Sequence, residues 1–61
     1  MEIKEIKEKL DFLIAKKDDV IINDITIFQP FRYITHNDYI HFYRGKERLA
    51  SLHKDIIRDI Y

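Results

Sequence analysis

Phe31-Arg32-Tyr33-Ile34-Thr35-His36-Asn37-Asp38-Tyr39-Ile40-His41-Phe42-Tyr43-Arg44 is the stretch that decides the fold. Aromatic and β-branched residues alternate with polar ones on both sides of Asn37-Asp38, as in two half-buried strands joined by a turn. Asn and Asp tolerate the left-handed backbone of a tight hairpin, so the pattern predicts strands at about 31–35 and 39–44. A turn of two or four residues then fixes the faces by parity, because side chains alternate across a strand. One face carries Phe31, Tyr33, Ile40 and Phe42. The other carries Arg32, Ile34, Tyr39, His41 and Tyr43. A three-residue loop would change these partners.

Upstream, Val20–Phe28 has the same β-branched and aromatic character and reads as a first strand. Pro30 cannot donate to a ladder and belongs to an edge, bulge or turn, which places a turn near Gln29-Pro30. A second Asn-Asp pair, Asn23-Asp24, opens a stretch similar to that after Asn37-Asp38. The competing parse puts a tight turn there and leaves a long, kinked second strand.

Residues 2–17 read as an amphipathic helix, with Ile3, Ile6, Leu10, Leu13 and Ile14 on one stripe. Glu2 and Glu5 in its first turn and Lys16 and Lys17 in its last suit the helix dipole. Ile3, Ile6, Leu10 and Leu13 also fit a heptad seam, over too short a length to define a coiled coil. Downstream of Gly45, residues 46–60 read as a second helix, its stripe formed by Leu49, Leu52, Ile56, Ile57 and Ile60. The predicted fold is α+β in one domain, 1–61: N-terminal helix, three-stranded antiparallel meander and C-terminal helix, both helices on one sheet face. Phe42 is expected beneath them with Phe31, Leu10, Leu13, Leu52 and Ile56.

A chain of 61 residues buries only ~60% of the surface its unfolded form exposes. It has no cysteine to staple it, and oligomerisation is a usual remedy for so small a core; a homodimer is expected. Eleven basic and eleven acidic residues cancel, which weighs against a protein devoted to neutralising phosphates. Residues 1–30 are net −2 and residues 31–61 net +2, an asymmetry that could favour head-to-tail contact between subunits. No stretch approaches the ~20 apolar residues of a membrane span and no secretory signal precedes the first helix; a cytoplasmic location and no membrane partner are expected. Twelve isoleucines against two alanines hint at AT-rich coding, as in low-GC bacteria and their phages.

The face carrying Arg32, Ile34, Tyr39, His41 and Tyr43 admits three uses. It can be ordinary wet sheet surface, since Tyr and His commonly sit half exposed. It can be a protein interface, where Tyr and Arg are enriched. Or its rings can stack bases while Arg32, Arg44 and Lys46 hold phosphates, though the chain lacks surplus positive charge. The expected function is the second: a small non-catalytic module that binds and regulates or inhibits a larger intracellular protein. A phage or mobile-element inhibitor fits the size and composition. A nucleic-acid-binding regulator using the same face is the alternative.

Arg44, Lys46 and Arg48 around Gly45 form an anion-binding candidate at the start of the predicted second helix, whose free N–H groups could assist. His36, His41 and His53 lack the companions of a tetrahedral metal site, and no cofactor signature is present. Ser51 and His53, two apart on a helix, would not face each other. An Arg32/His41/Tyr43 group has acid–base potential, but an open sheet face is not a cleft, and no catalytic residues are expected.

Overall fold

The computed structural model describes residues 1–61. One helix, α1 (Ile3–Ala15), is followed by five strands: β1 (Val20–Ile22), β2 (Ile25–Ile27), β3 (Arg32–His36), β4 (Tyr39–Arg44) and β5 (Glu47–His53). They form two antiparallel sheets, β1-β2 and β3-β4-β5.

Helix α1 forms because its apolar stripe buries Ile6 and Leu10 completely. It ends earlier than the charge pattern suggests. Lys16 is already the cap and Lys17 adopts φ 60°. The Lys17 N–H donates to Ile14 O (3.0 Å) and the Asp18 N–H to Leu13 O (3.0 Å). These two bonds make a Schellman motif, which satisfies carbonyls of the last turn.

Three two-residue hairpins then follow. Asn23-Asp24 takes φ 47° and 75°, and Asn37-Asp38 takes 48° and 66°. Two consecutive positive φ values define the type I′ turn, whose twist matches that of paired strands. Both Asn-Asp pairs are therefore turns, and the single strand expected over 20–28 is itself a hairpin, with Val20 opposite Ile27. The segment after β2 bends at a cis Gln29–Pro30 bond. Arg44 holds that bend, donating from Nε to Pro30 O (3.1 Å) and from Nη2 to Phe28 O (2.8 Å).

The third hairpin overturns the predicted C-terminal helix. Gly45, at φ 61°, opens a two-residue turn with Lys46, and Glu47–His53 returns along β4. Ile40 and Phe42 on β4 are fully buried; without β5, the backbone groups on that side of the strand would be left unpaired in the interior. The helical spacing that misled the sequence reading comes from a β-bulge. Phe42 opposes Ala50 but Tyr43 opposes Arg48, leaving Leu49 as the extra residue. An extra residue shifts the inward positions out of period two, so Leu49 and Leu52 imitate an i, i+3 pair. Beyond β5 the chain turns, and Ile60 bridges antiparallel to Ile22.

The core consists of Ile6, Leu10, Val20, Ile22, Ile27, Phe31, Ile40, Phe42, Ile57 and Ile60, with no buried polar side chain. Leu13 and Leu52, expected inside it, pack only at its margin, with Leu52 on β5 and not on a helix, and Ile56 is 58% exposed. Phe31 and Phe42 meet with ring centroids 6.0 Å apart. Helix α1 lies on this side of the larger sheet, where Tyr33 Oη donates to Asp11 Oδ1 (2.6 Å). Burial first, then this bond and the Asp11 charge, push the Tyr33 phenol up to about 12. One helix and the β1-β2 hairpin thus do the work that two helices were expected to do. No helix is long and apolar enough to cross a membrane.

The C-terminal segment is held by Asn23. Its Nδ2 donates to Ile56 O (2.6 Å), and its Oδ1 accepts from the N–H groups of Arg58 (2.9 Å) and Asp59 (3.3 Å). Ile21 and Tyr61 exchange two backbone hydrogen bonds beside it.

Candidate functional site

With α1 on one side of the β3-β4-β5 sheet, the other side is left without a covering element. The register sets nine side chains on it in three cross-strand rows: Arg32–Tyr43–Arg48, Ile34–His41–Ser51 and His36–Tyr39–His53. All five residues expected to bind a partner, Arg32, Ile34, Tyr39, His41 and Tyr43, lie here together. None of the nine is Asp or Glu. Two are arginines and three are histidines, and the Asp55 carboxylate stands beside them, 3.7 Å from His53 Nδ1.

Several of these side chains hold one another. The Arg32 guanidinium lies 4.7 Å from the centre of the Tyr43 ring, a cation–π geometry, and its Nη2 donates to Gly45 O (3.0 Å). Tyr39 meets His53 edge to face at 5.0 Å and runs nearly parallel to His41 at 6.1 Å. His41 Nδ1 and Ser51 Oγ are 2.7 Å apart. His53 Nδ1 accepts the Asp55 N–H at 3.0 Å, closer than the Asp55 carboxylate at 3.7 Å; the shorter contact puts the neutral ring's proton on Nε2. Side chains ordered in this way lose less entropy when a partner arrives.

The anion-binding cluster expected at Arg44, Lys46 and Arg48 is not assembled. There is no helix start to lend N–H groups. Arg44 points to the side opposite Arg48, its guanidinium engaged by the Pro30 and Phe28 carbonyls, and Lys46 sits at the hairpin tip. Arg48 instead joins the outer face beside Tyr43. Sequence reasoning singled out Arg48 as an anion-binding candidate but did not bring it, Ser51 or His53 to this face, because it placed all three on a helix. On a strand Ser51 and His53 do share a face. The available signal was Gly45-Lys46, two residues between segments that can alternate.

His41 and Ser51 are at nucleophile–base distance, but the site is shallow. Tyr39, His41, Arg48, Leu49, Ala50 and Ser51 line an open depression of about 420 Å³. No group of three or more His, Asp or Glu side chains is arranged to hold a metal ion. Other exposed apolar side chains lie elsewhere: Phe12 (63% exposed) and Tyr61 (66%) flank a groove of about 210 Å³ with Lys9, Leu13 and Ile60. No family model, curated protein or solved structure matches this chain.

Proposed function

We propose that this chain is a non-catalytic docking module whose outer β3-β4-β5 face binds a larger intracellular protein and regulates or blocks it by occupying its surface. The observation that carries the reading is the composition and order of that face: two arginines, three histidines and two tyrosines, no acid, and rings and guanidinium already in mutual contact. Tyr and Arg supply most hot-spot energy at protein interfaces. A standard interface takes ~800 Å² from each partner, roughly a fifth of this chain's 4273 Å² surface. The partner therefore covers the whole face and its rims, not a single pocket. Its complementary surface is acidic.

The same acid-free face favours one second reading, binding of single-stranded nucleic acid. Against it, Arg32 already caps the Tyr43 ring, His53 abuts Tyr39, and the chain as a whole carries no net charge. Capture from nuclease-treated extract of the native host separates the two. The docking reading expects a protein retained after nuclease and lost with Tyr39→Ala/Tyr43→Ala. Retention of oligonucleotide alone, falling steeply between 50 and 200 mM salt as phosphate binding does, would replace it.

We propose that the chain also associates with itself through β3. Exposed edges are commonly blunted by Lys, Pro or a bulge. The bulge at Leu49 breaks the free edge of β5, whereas β3, Arg32–His36, has no Lys, Pro or bulge and a single charged residue, Arg32, at its start. Pairing of two β3 edges would also cover Ile34, which is 46% exposed.

A further inference from the structure

The bulge on β5 has an effect on the outer face as well as on the core. Leu49, inserted between Arg48 and Ala50, helps line the open depression that Tyr39, His41, Arg48 and Ser51 also form. Bulges commonly re-aim side chains. Of the three arginines in strands, Arg32 and Arg44 each donate to backbone carbonyls. The Arg48 guanidinium has neither a hydrogen-bond nor an ion-pair partner. His41 uses Nδ1 on Ser51, and its Nε2 has no partner. When the Ser51 hydroxyl donates to Nδ1, the ring proton resides on Nε2, and protonation of the ring keeps that donor in place. Arg48 and His41 thus offer donors to one open space with no acceptor of their own.

We propose that this depression is an oxyanion subsite that takes a carboxylate side chain, Asp or Glu, of the docked protein. The inference rests on the docking reading and names its anchor. Charge selects the carboxylate: Arg48 is the one permanently charged, unengaged group lining the depression, and it matches a single negative charge. Its planar fork suits the two oxygens of a carboxylate, and His41 Nε2 supplies a further donor. Ser51 is a positioning residue, fixing the imidazole through Nδ1.

The test is an NMR titration of the whole chain with acetate at constant ionic strength, with phenyl phosphate as a parallel arm. Acetate should move the His41 ring and the Leu49–Ser51 amides saturably, with half-saturation on the order of 10 mM, as a few solvent-exposed donors can supply. Arg48→Met should weaken this at least fivefold, while Lys46→Met should leave it unchanged. Ser51→Ala should shift the His41 ring nitrogens toward a mixture of tautomers and weaken acetate severalfold, a signature that loss of packing alone would not give. Shifts linear in acetate, or equal in Arg48→Met, would show a diffuse ion atmosphere and overturn the subsite. Phenyl phosphate saturating tenfold below acetate would overturn the choice of carboxylate. Failure of the titration while Tyr39 and Tyr43 remain necessary for partner binding would remove the subsite and leave the docking reading intact.

Discussion

Replacing Asn23 with glycine should cost far more than the same change at Asn37, although both residues occupy the first position of a type I′ turn. Their backbones are nearly the same, φ 47° and 48°, and glycine tolerates that region freely, so the turn term cancels in the comparison. The side chains differ. Asn37 reaches only the neighbouring His36 ring at 3.1 Å. Asn23 makes three hydrogen bonds to the backbone of Ile56, Arg58 and Asp59, which fix the segment that delivers Ile57 and Ile60 to the core. At about 0.5–1 kcal/mol for each bond near the surface, the difference is about 1.5–3 kcal/mol. A domain of this length has a total stability of roughly 3–9 kcal/mol, so the loss is a large part of it. Urea unfolding followed by circular dichroism measures both variants, and hydrogen exchange at the Tyr61 amide, bonded to Ile21 O at 3.0 Å, reports the tail directly. Asn23→Gly should lower the midpoint and speed exchange at Tyr61; Asn37→Gly should do neither. Equal midpoints would mean that the C-terminal segment is not held by Asn23, and the reasoning would fail.

Phe42, fully buried, should cost ~3–5 kcal/mol when replaced by Ala, and an unchanged thermal midpoint would mean that the sheet faces are reversed. Tyr33 gives an alkaline signature. Its folded value of about 12 lies above the ordinary 10.0, so its contribution is whole below pH 10 and is lost as pH rises to 12; Tyr33→Phe should remove that part of the decline, and an identical alkaline profile would mean that burial and the Asp11 contact do not hold the phenol neutral. Light scattering at micromolar concentration should give twice the 7.5 kDa chain mass, and Ile34→Lys should halve it. A constant 7.5 kDa across a wide concentration range would rule out the dimer.

Helix α1 and the β3-β4 hairpin were legible because each obeys one period throughout. The stripe Ile3, Ile6, Leu10, Leu13 repeats at helical spacing, and the two-residue turn at Asn37-Asp38 converts alternation directly into two faces. The C-terminal third was not legible because its period is broken. A bulge at Leu49, a turn after His53 and a single bridge at Ile60 together place apolar residues at 49, 52, 56, 57 and 60, a helical spacing produced by irregular strands. That misreading hid a third of the candidate site, since Arg48, Ser51 and His53 reach the outer face only if β5 is a strand. The first Asn-Asp pair was ambiguous for another reason: β1 and β2 have three residues each, too few for alternation to distinguish a hairpin from one strand. Asn23 as a tail clamp left no local signal, because its partners lie more than thirty positions away.

The claim that the outer sheet face is the docking surface is tested most directly by the affinity of the partner captured from the native host, measured by calorimetry against single alanine variants. Tyr39→Ala or Tyr43→Ala should weaken binding by about thirtyfold, the ~2 kcal/mol of an interface hot spot, with circular dichroism unchanged, while Phe12→Ala and Tyr61→Ala bind as the parent does. Full affinity in both sheet-face variants, with binding lost on Phe12→Ala or Tyr61→Ala, would contradict the account and move the interface to the groove between α1 and the C-terminal residues.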